Sequence, residues 1–158
     1  MMRVTTLYAA TAATTAGYYT RYLTGAAGEL PGQWLGNQAD RLGLHGEVTT
    51  EALQALLSGC DPVTSATLGH PLVDRTLSNG KVIRAVAGFD ATLSAPKSLS
   101  VLWALTGDDG LAECHDVAVR AVADYLERFG ATTRVRSNGM RMHPDTHGLT
   151  MAAFRQTT

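Results

Sequence analysis

The chain has 158 residues, 45% of them apolar and 17% charged, which suits one globular domain with its own core. Its net charge of −1 excludes a globally basic nucleic-acid binder. Any basic surface is local, because residues 1–74 carry three Lys/Arg against six Asp/Glu, and residues 75–158 carry ten against eight.

The cysteines and the hydropathy of the chain indicate the cellular compartment that we expect for the protein. Cys60 and Cys114 are far apart and lack metal-ligand spacing, which predicts reduced, buried thiols and no disulfide framework. No apolar run approaches the ~18 residues of a membrane span, and the N-terminus lacks the charged-then-apolar layout of a signal peptide. We therefore expect a cytoplasmic protein with no membrane partner.

The N-terminal stretch predicts a strand over residues 3–8 and then an Ala/Thr-rich helix over residues 9–23. The second half of this helix carries three tyrosines. Tyr18 and Tyr22 share a helix face, and Tyr19 points about 100° away. Such a group packs on a sheet as an aromatic stripe, or it supplies nucleophiles or stacking platforms for bases.

The next stretch predicts little regular structure. It contains a Gly-rich loop over residues 29–40, a short helix over residues 48–57 and irregular chain over residues 61–80. Thr49 or Thr50 is the expected N-cap of the helix. A Ser-Asn-Gly turn closes the irregular part.

Alternating residues predict a strand over residues 83–93. The expected core face consists of Ile83, Ala85, Ala87, Phe89, Ala91 and Leu93. The other face carries Asp90 between Gly88 and Thr92, and these small neighbours leave room for a ligand to approach the carboxylate.

A helix is expected after this strand, with Ser94 as its N-cap and Pro96 in its first turn. Lys97 lies in the same turn, where the helix dipole disfavours a cation. This indicates either a polyanion site beside Asp90 or a solvated lysine at a well-capped junction. The helix should end before Gly107. Its expected core residues are Val101, Leu102 and Leu105.

A longer helix is predicted over residues 111–129, capped by Asp108 and Asp109. On its polar face, Asp116 and Arg120 form a favourable i,i+4 pair. The expected apolar stripe consists of Leu111, Cys114, Ala118, Ala121, Val122, Tyr125 and Phe129.

Two further strands are predicted, over residues 132–136 and 148–156, with a hairpin turn after the first. Arg134 and Arg136 share a strand face, and Arg141 lies nearby across the hairpin. This basic ladder either follows a phosphate backbone or faces solvent.

The elements together predict an α+β fold, an antiparallel sheet with helices packed on it. His143 and His147, four apart in a Pro-containing loop, are expected to be surface residues. The chain stops inside a strand pattern, so residues 1–158 are expected to form a single domain that is incomplete at its C-terminus.

Residues 88–105 (GFDATLSAPKSLSVLWAL) resemble the signature of the TrwC/TraI-type (MobF) conjugative relaxases. Residues 17–19 (GYY) are similar to the catalytic tyrosine cluster of that family, and residues 154–158 resemble the strand before its histidine-rich motif. Residues 34–36 and 42–48 follow in the family's order. The resemblance covers essentially the whole chain.

This resemblance implies a palm-like antiparallel sheet of the HUH endonuclease type. Such enzymes nick and rejoin one DNA strand at a plasmid transfer origin through a covalent 5′-phosphotyrosine. Tyr18 matches the first nucleophile, with Tyr19 beside it, and Asp90 matches the acid that orients the site or takes the proton. Tyr22 is the available residue in place of the family's second tyrosine pair. Lys97, Arg134, Arg136 and Tyr22 are the expected DNA-binding residues.

The resemblance also implies a divalent metal, Mg²⁺ or Mn²⁺, held by three histidines. Gln156 stands at the first of these positions, and its amide oxygen is a poorer and harder ligand than imidazole. The other two would follow Thr158. The expectation is therefore that residues 1–158 hold no metal and have little nicking activity, whereas the full protein nicks single-stranded DNA with relaxosome accessory proteins as further partners.

Two other classes are compatible with the same residues. A single-stranded DNA-binding module would use the tyrosines and the Arg134/Arg136 ladder without a covalent step. A structural or interaction fragment would use the tyrosines as core.

Overall fold

The computed structural model describes residues 1–11, 31–133, 135–137, 139–144 and 146–156. The described strands are β1 Met2–Tyr8, β2 Gln33–Leu35, β3 Arg75–Thr76, β4 Val82–Ile83, β5 Val86–Leu93, β6 Val135–Ser137, β7 Met140–Met142 and β8 Met151–Ala153. The described helices are α1 Asn37–Arg41, α2 Thr50–Leu57, α3 Lys97–Thr106 and α4 Asp109–Gly130, with a 3-10 turn at Ala9–Thr11.

Every described strand pairs in an antiparallel direction, which confirms the predicted α+β class. The pairs are β1–β5, β2–β8, β3–β4 and β6–β7. In β1–β5, Met2 lies opposite Leu93 and Thr5 opposite Asp90, with a register shift at Leu7/Tyr8. None of the described helices is both long enough and apolar enough to cross a membrane.

The core is centred on helix α2. The buried cluster, here called the α2 core, consists of Val48, Leu53 and Leu57. The partly buried hydrophobic residues packed against it are Leu7, Ala87, Trp34, Ala152 and Phe154. Leu7 and Ala87 belong to the pair β1–β5. Trp34 and Ala152 belong to the pair β2–β8, and Phe154 follows β8. Helix α2 therefore holds two strand pairs against one another.

Replacing Leu53 with alanine is expected to lower the free energy of unfolding by about 2–5 kcal/mol, because the side chain leaves a cavity between the two strand pairs. Leu53 is 8% exposed. Leu105→Ala is the matched control, since Leu105 is 81% exposed. Chemical denaturation of the two variants measures the difference. Equal stability losses would show that α2 does not join the strand pairs.

Local capping signals are confirmed. The Thr49 hydroxyl accepts a hydrogen bond from the Ala52 amide at 3.3 Å, at the start of α2. The Asp108 carboxylate accepts from the Gly110 amide at 2.9 Å, at the start of α4. Gly107 ends α3 with φ 62°, a left-handed conformation that suits glycine.

The burial of β5 is divided between its two faces, unlike the prediction. Ala87 of the predicted core face packs on the α2 core, and so does Leu7, which pairs with Gly88 of the other face. Asp90 is half-buried, whereas Phe89 is 69% exposed. Of the other predicted core residues, Ile83 and Ala91 are exposed, and Ala85, Ala87 and Leu93 are half-buried. Alternation separates the two faces of a strand, but the covering layer decides which face is buried.

The start of α3 also differs from the prediction. Ser94 is not an N-cap, because its amide and carbonyl both pair with Met1 in an extension of β1–β5, at 2.9 and 2.8 Å. The helix begins at Lys97, and Pro96 precedes it without a side-chain cap. The predicted core residues Val101, Leu102 and Leu105 are exposed, while Leu99 and Trp103 are half-buried.

Helix α4 buries Ala123 and leaves most of its predicted stripe exposed. The exposed members of that stripe are Cys114, Ala118, Ala121, Tyr125 and Phe129. Tyr125 and Phe129 pack on each other instead, with ring centroids 4.8 Å apart. Asp116 pairs with Arg155, not with Arg120, because a partner 39 residues away reaches the carboxylate.

The bounds of several helices and strands also differ from the predicted ones. The predicted loop over residues 29–40 contains β2 and the start of α1, and the predicted strand over residues 148–156 is shortened to β8. Both cysteines are free as predicted, but Cys60 is half-buried and Cys114 is exposed. His143 and His147 are exposed, as predicted.

Candidate functional site

Asp90 lies in the middle of β5, opposite Thr5 of β1. Gly88 precedes it on the same face, and a methyl group placed on Gly88 would meet no other atom of the described chain within 4 Å. No described residue forms a hydrogen bond or ion pair with the Asp90 side chain. The carboxylate is thus half-buried, and the described residues leave space beside it at Gly88.

Gln156 follows a strand of another pair. It is exposed and follows Phe154, which packs on the α2 core. Leu7, two residues from the partner of Asp90, packs on that same core. Helix α2 thus brings together the strands that lead to Asp90 and to Gln156.

The predicted nucleophiles cannot be placed. Tyr18, Tyr19 and Tyr22 lie outside the described residues, as does Arg134. For Arg136 the described chain gives the backbone alone.

Lys97 and Asp90 lie on different elements. It is the exposed first residue of α3, and Asp90 lies well inside the strand that precedes this helix. The first turn of α3 contains no acidic residue. Lys97 and the helix N-terminus therefore present positive charge without an acidic neighbour in that turn.

The hairpin β6–β7 carries two of the three arginines of the predicted basic ladder. Arg136 and Arg141 are directly opposite one another in the register, and Arg141 is exposed.

A second basic hairpin was missed in the sequence. Strands β3 and β4 pair Arg75 with Ile83, and the turn between them carries Lys81. Arg84 follows β4, with its guanidinium 5.4 Å from the centre of the Tyr8 ring. All three cations are exposed. The available signal was the Ser-Asn-Gly turn, which has short β-prone runs on both sides.

The described residues do not by themselves fit a metal. Within them, no group of three or more His, Cys, Asp or Glu could hold an ion. Gln156 offers one neutral amide oxygen, and hard divalent cations take about six oxygen ligands, including water. One exposed amide is therefore too little for a site.

Comparisons with known proteins point to one family. The family model described as TrwC relaxase matches residues 3–158. The multifunctional conjugation protein TraI of Escherichia coli (strain K12) is 35% identical over 145 residues, which cover 89% of this chain and 8% of that protein. A second Escherichia coli TraI is 34% identical over the same length.

Comparison with solved structures points to the same family. The conjugative relaxase TrwC in complex with oriT DNA, in a metal-free structure, has a TM-score of 0.74 and 29% identity, and it covers 99% of this chain and 50% of that one. A metal-bound structure of TrwC with oriT DNA has a TM-score of 0.74 and 27% identity, over 98% and 50% of the two chains. The chain thus spans half of these solved chains and a small part of TraI. Its family match, its identity to TraI and its fold agree, and the chain belongs to the TrwC relaxase family.

Proposed function

We propose that residues 1–158 form the N-terminal part of a relaxase domain that nicks and rejoins one DNA strand at a plasmid transfer origin. The observation that carries the proposal is the half-buried Asp90, set on a core-facing strand within a fold that resembles TrwC bound to oriT DNA. The proposed partner is single-stranded DNA, with accessory proteins of the relaxosome, and the proposed compartment is the cytoplasm.

The proposed chemistry exchanges one phosphodiester for another. The phenolic oxygen of Tyr18 attacks the scissile phosphorus, and a new O–P bond forms while the bond from phosphorus to the 3′ oxygen breaks. The 3′ oxygen leaves as a hydroxyl after taking up a proton. The reverse attack by that hydroxyl rejoins the strand and releases the tyrosine.

Asp90 and Tyr19 are proposed to assist this exchange. An unperturbed phenol has a pKa of about 10, so the tyrosine needs a proton acceptor near neutral pH. The Asp90 carboxylate accepts that proton or orients the group that does. Tyr19 stands next to the nucleophile in the sequence, and Tyr22 is the proposed stacking residue.

DNA binding is proposed to use cations at three places. Lys97 lies at the start of α3, Arg136 and Arg141 lie on β6–β7, and the missed cations lie around β3–β4. Arg134 precedes β6 in the sequence. Exposed Lys and Arg bind phosphates with a strong dependence on salt.

The full domain is proposed to hold Mg²⁺ or Mn²⁺, with Gln156 at one ligand position and the remaining ligands beyond Thr158. Structures of TrwC include a metal-bound form. On this proposal, residues 1–158 alone hold no metal and cut poorly.

The test uses the full-length protein with Mg²⁺ or Mn²⁺ and single-stranded oligonucleotides from the transfer origin of its own plasmid. We expect a protein–DNA adduct that survives a denaturing gel, and none with an oligonucleotide of scrambled sequence. Tight binding of the origin sequence without an adduct would overturn the proposal. It would favour a single-stranded DNA-binding module. Glutamine at position 156 also favours that alternative, because an amide is a poorer metal ligand than imidazole.

A further inference from the structure

Helix α4 holds the segment that leads to Gln156 at two points. The Leu149 amide donates to Oε1 of Glu127 at 2.8 Å, and Nη1 of Arg155 donates to Oδ2 of Asp116 at 3.1 Å. The two carboxylates are about 16 Å apart along the helix, and the segment between the two anchored residues spans about 20 Å when extended. Strand β8 therefore lies along α4, running in the opposite direction.

Glu127 is the stronger of the two anchors. Besides Leu149, its carboxylate accepts from the amide of Asn37 at 2.8 Å and from Nδ2 of Asn37 at 2.9 Å. One half-buried carboxylate thus joins α1, α4 and the start of the β8 segment. Hydrogen bonds to a charged group are stronger than those between neutral groups, so this anchor belongs to the framework of the fold.

Two glycines make this junction possible. Gly36 has φ 98° and Gly148 has φ 115°, both in the region that other residues rarely adopt. A Cβ on Gly148 would collide with Oε1 of Glu127, and one on Gly36 would collide with the Leu149 carbonyl oxygen. The backbones approach too closely for a side chain, which fixes the start of the segment.

The second anchor lies next to Gln156. Arg155 is 30% exposed and Asp116 is 46% exposed, and water screens the attraction within exposed ion pairs. The pair therefore adds little to the stability of the fold, but it determines the direction of the residue before Gln156. Phe154 packs on the α2 core, so two successive residues are held by two different helices.

We infer that Asp116 is a positioning residue for the relaxase site: through Arg155, it fixes the direction of the chain at Gln156. This inference rests on the proposed function. Glu127 sets the far end of the same segment.

The test uses the full-length protein with Asp116→Asn, Asp116→Glu and the control Asp124→Asn. Asp124 is an exposed carboxylate on α4 that bonds no described residue. Asp116→Asn is expected to slow adduct formation about 10- to 100-fold, because a small misplacement of a reacting group has an effect of that size. Oligonucleotide affinity and melting temperature should stay at wild-type values, so that the slower rate is separated from a loss of folded protein and from weaker DNA binding. Asp116→Glu should recover part of the rate.

Arg155→Gln tests the pair from its other side. If the two residues act as one unit, the double variant should be no slower than the slower single variant. An Asp116→Asn protein that forms adduct at the wild-type rate overturns the inference alone. So does a slower rate accompanied by an equal loss of DNA affinity. A wild-type protein that forms no adduct overturns the proposed function, and the inference with it.

Discussion

Replacing Tyr18 with phenylalanine is expected to abolish the covalent protein–DNA adduct. The substitution removes one oxygen atom and leaves the ring, so the nucleophile is lost while packing and stacking remain. Affinity for the same oligonucleotide should change by less than about threefold, because stacking on an aromatic face does not need the hydroxyl. A denaturing gel measures the adduct, and fluorescence anisotropy measures the affinity.

Tyr19→Phe and Tyr22→Phe are the matched controls, because each removes the same atom within four residues of Tyr18. Both should still form the adduct. An adduct that persists in Tyr18→Phe but disappears in Tyr19→Phe would reassign the nucleophile. Loss of affinity in all three variants, with no adduct in the wild type, would favour the binding-module alternative.

Replacing Asp90 with asparagine is expected to lower the rate of adduct formation by about 10²- to 10⁴-fold, the usual contribution of a positioned acid or base. The amide keeps the shape of the side chain but cannot accept the phenolic proton. Oligonucleotide affinity should remain within about threefold of wild type, because removing one carboxylate takes away no contact to a phosphate. Single-turnover nicking of a labelled oligonucleotide measures the rate.

The pH dependence separates the two roles of Asp90. If the carboxylate is the proton acceptor, raising the pH towards the phenol pKa should restore part of the rate of Asp90→Asn, because hydroxide then removes the proton. If the carboxylate only orients the site, the variant should remain slow at every pH. A variant as fast as wild type at neutral pH would remove Asp90 from the chemistry.

Local signals in the sequence predicted local structure well. Thr49, Gly107 and Asp108 were correctly identified as helix boundaries, because caps depend on neighbours within a few residues. The strand that became β1 followed from a short β-prone run, and the strand that became β5 followed from alternation. The site residues remain predictions, since the tyrosines lie outside the described chain and nothing yet tests Asp90.

Two of the errors share one physical cause, which is contact between residues far apart in the sequence. Ser94 looked like a cap, but it pairs with Met1, from which 93 positions separate it. Asp116 had a suitable partner one helical turn away, yet it pairs with Arg155. The β3–β4 hairpin was missed because strands of two residues are too short to show a period.

Because the strands that lead to Asp90 and to Gln156 both pack on the small α2 core, the spacing of the two residues depends on three buried aliphatic side chains. Mild substitutions there, such as Val48→Ala, should leave a folded protein whose two strand pairs shift apart on warming. We therefore expect temperature-sensitive plasmid transfer from α2 core variants, with normal transfer in the cold and normal protein levels at both temperatures. In a genetic screen, the α2 core would then score as though it were part of the catalytic centre.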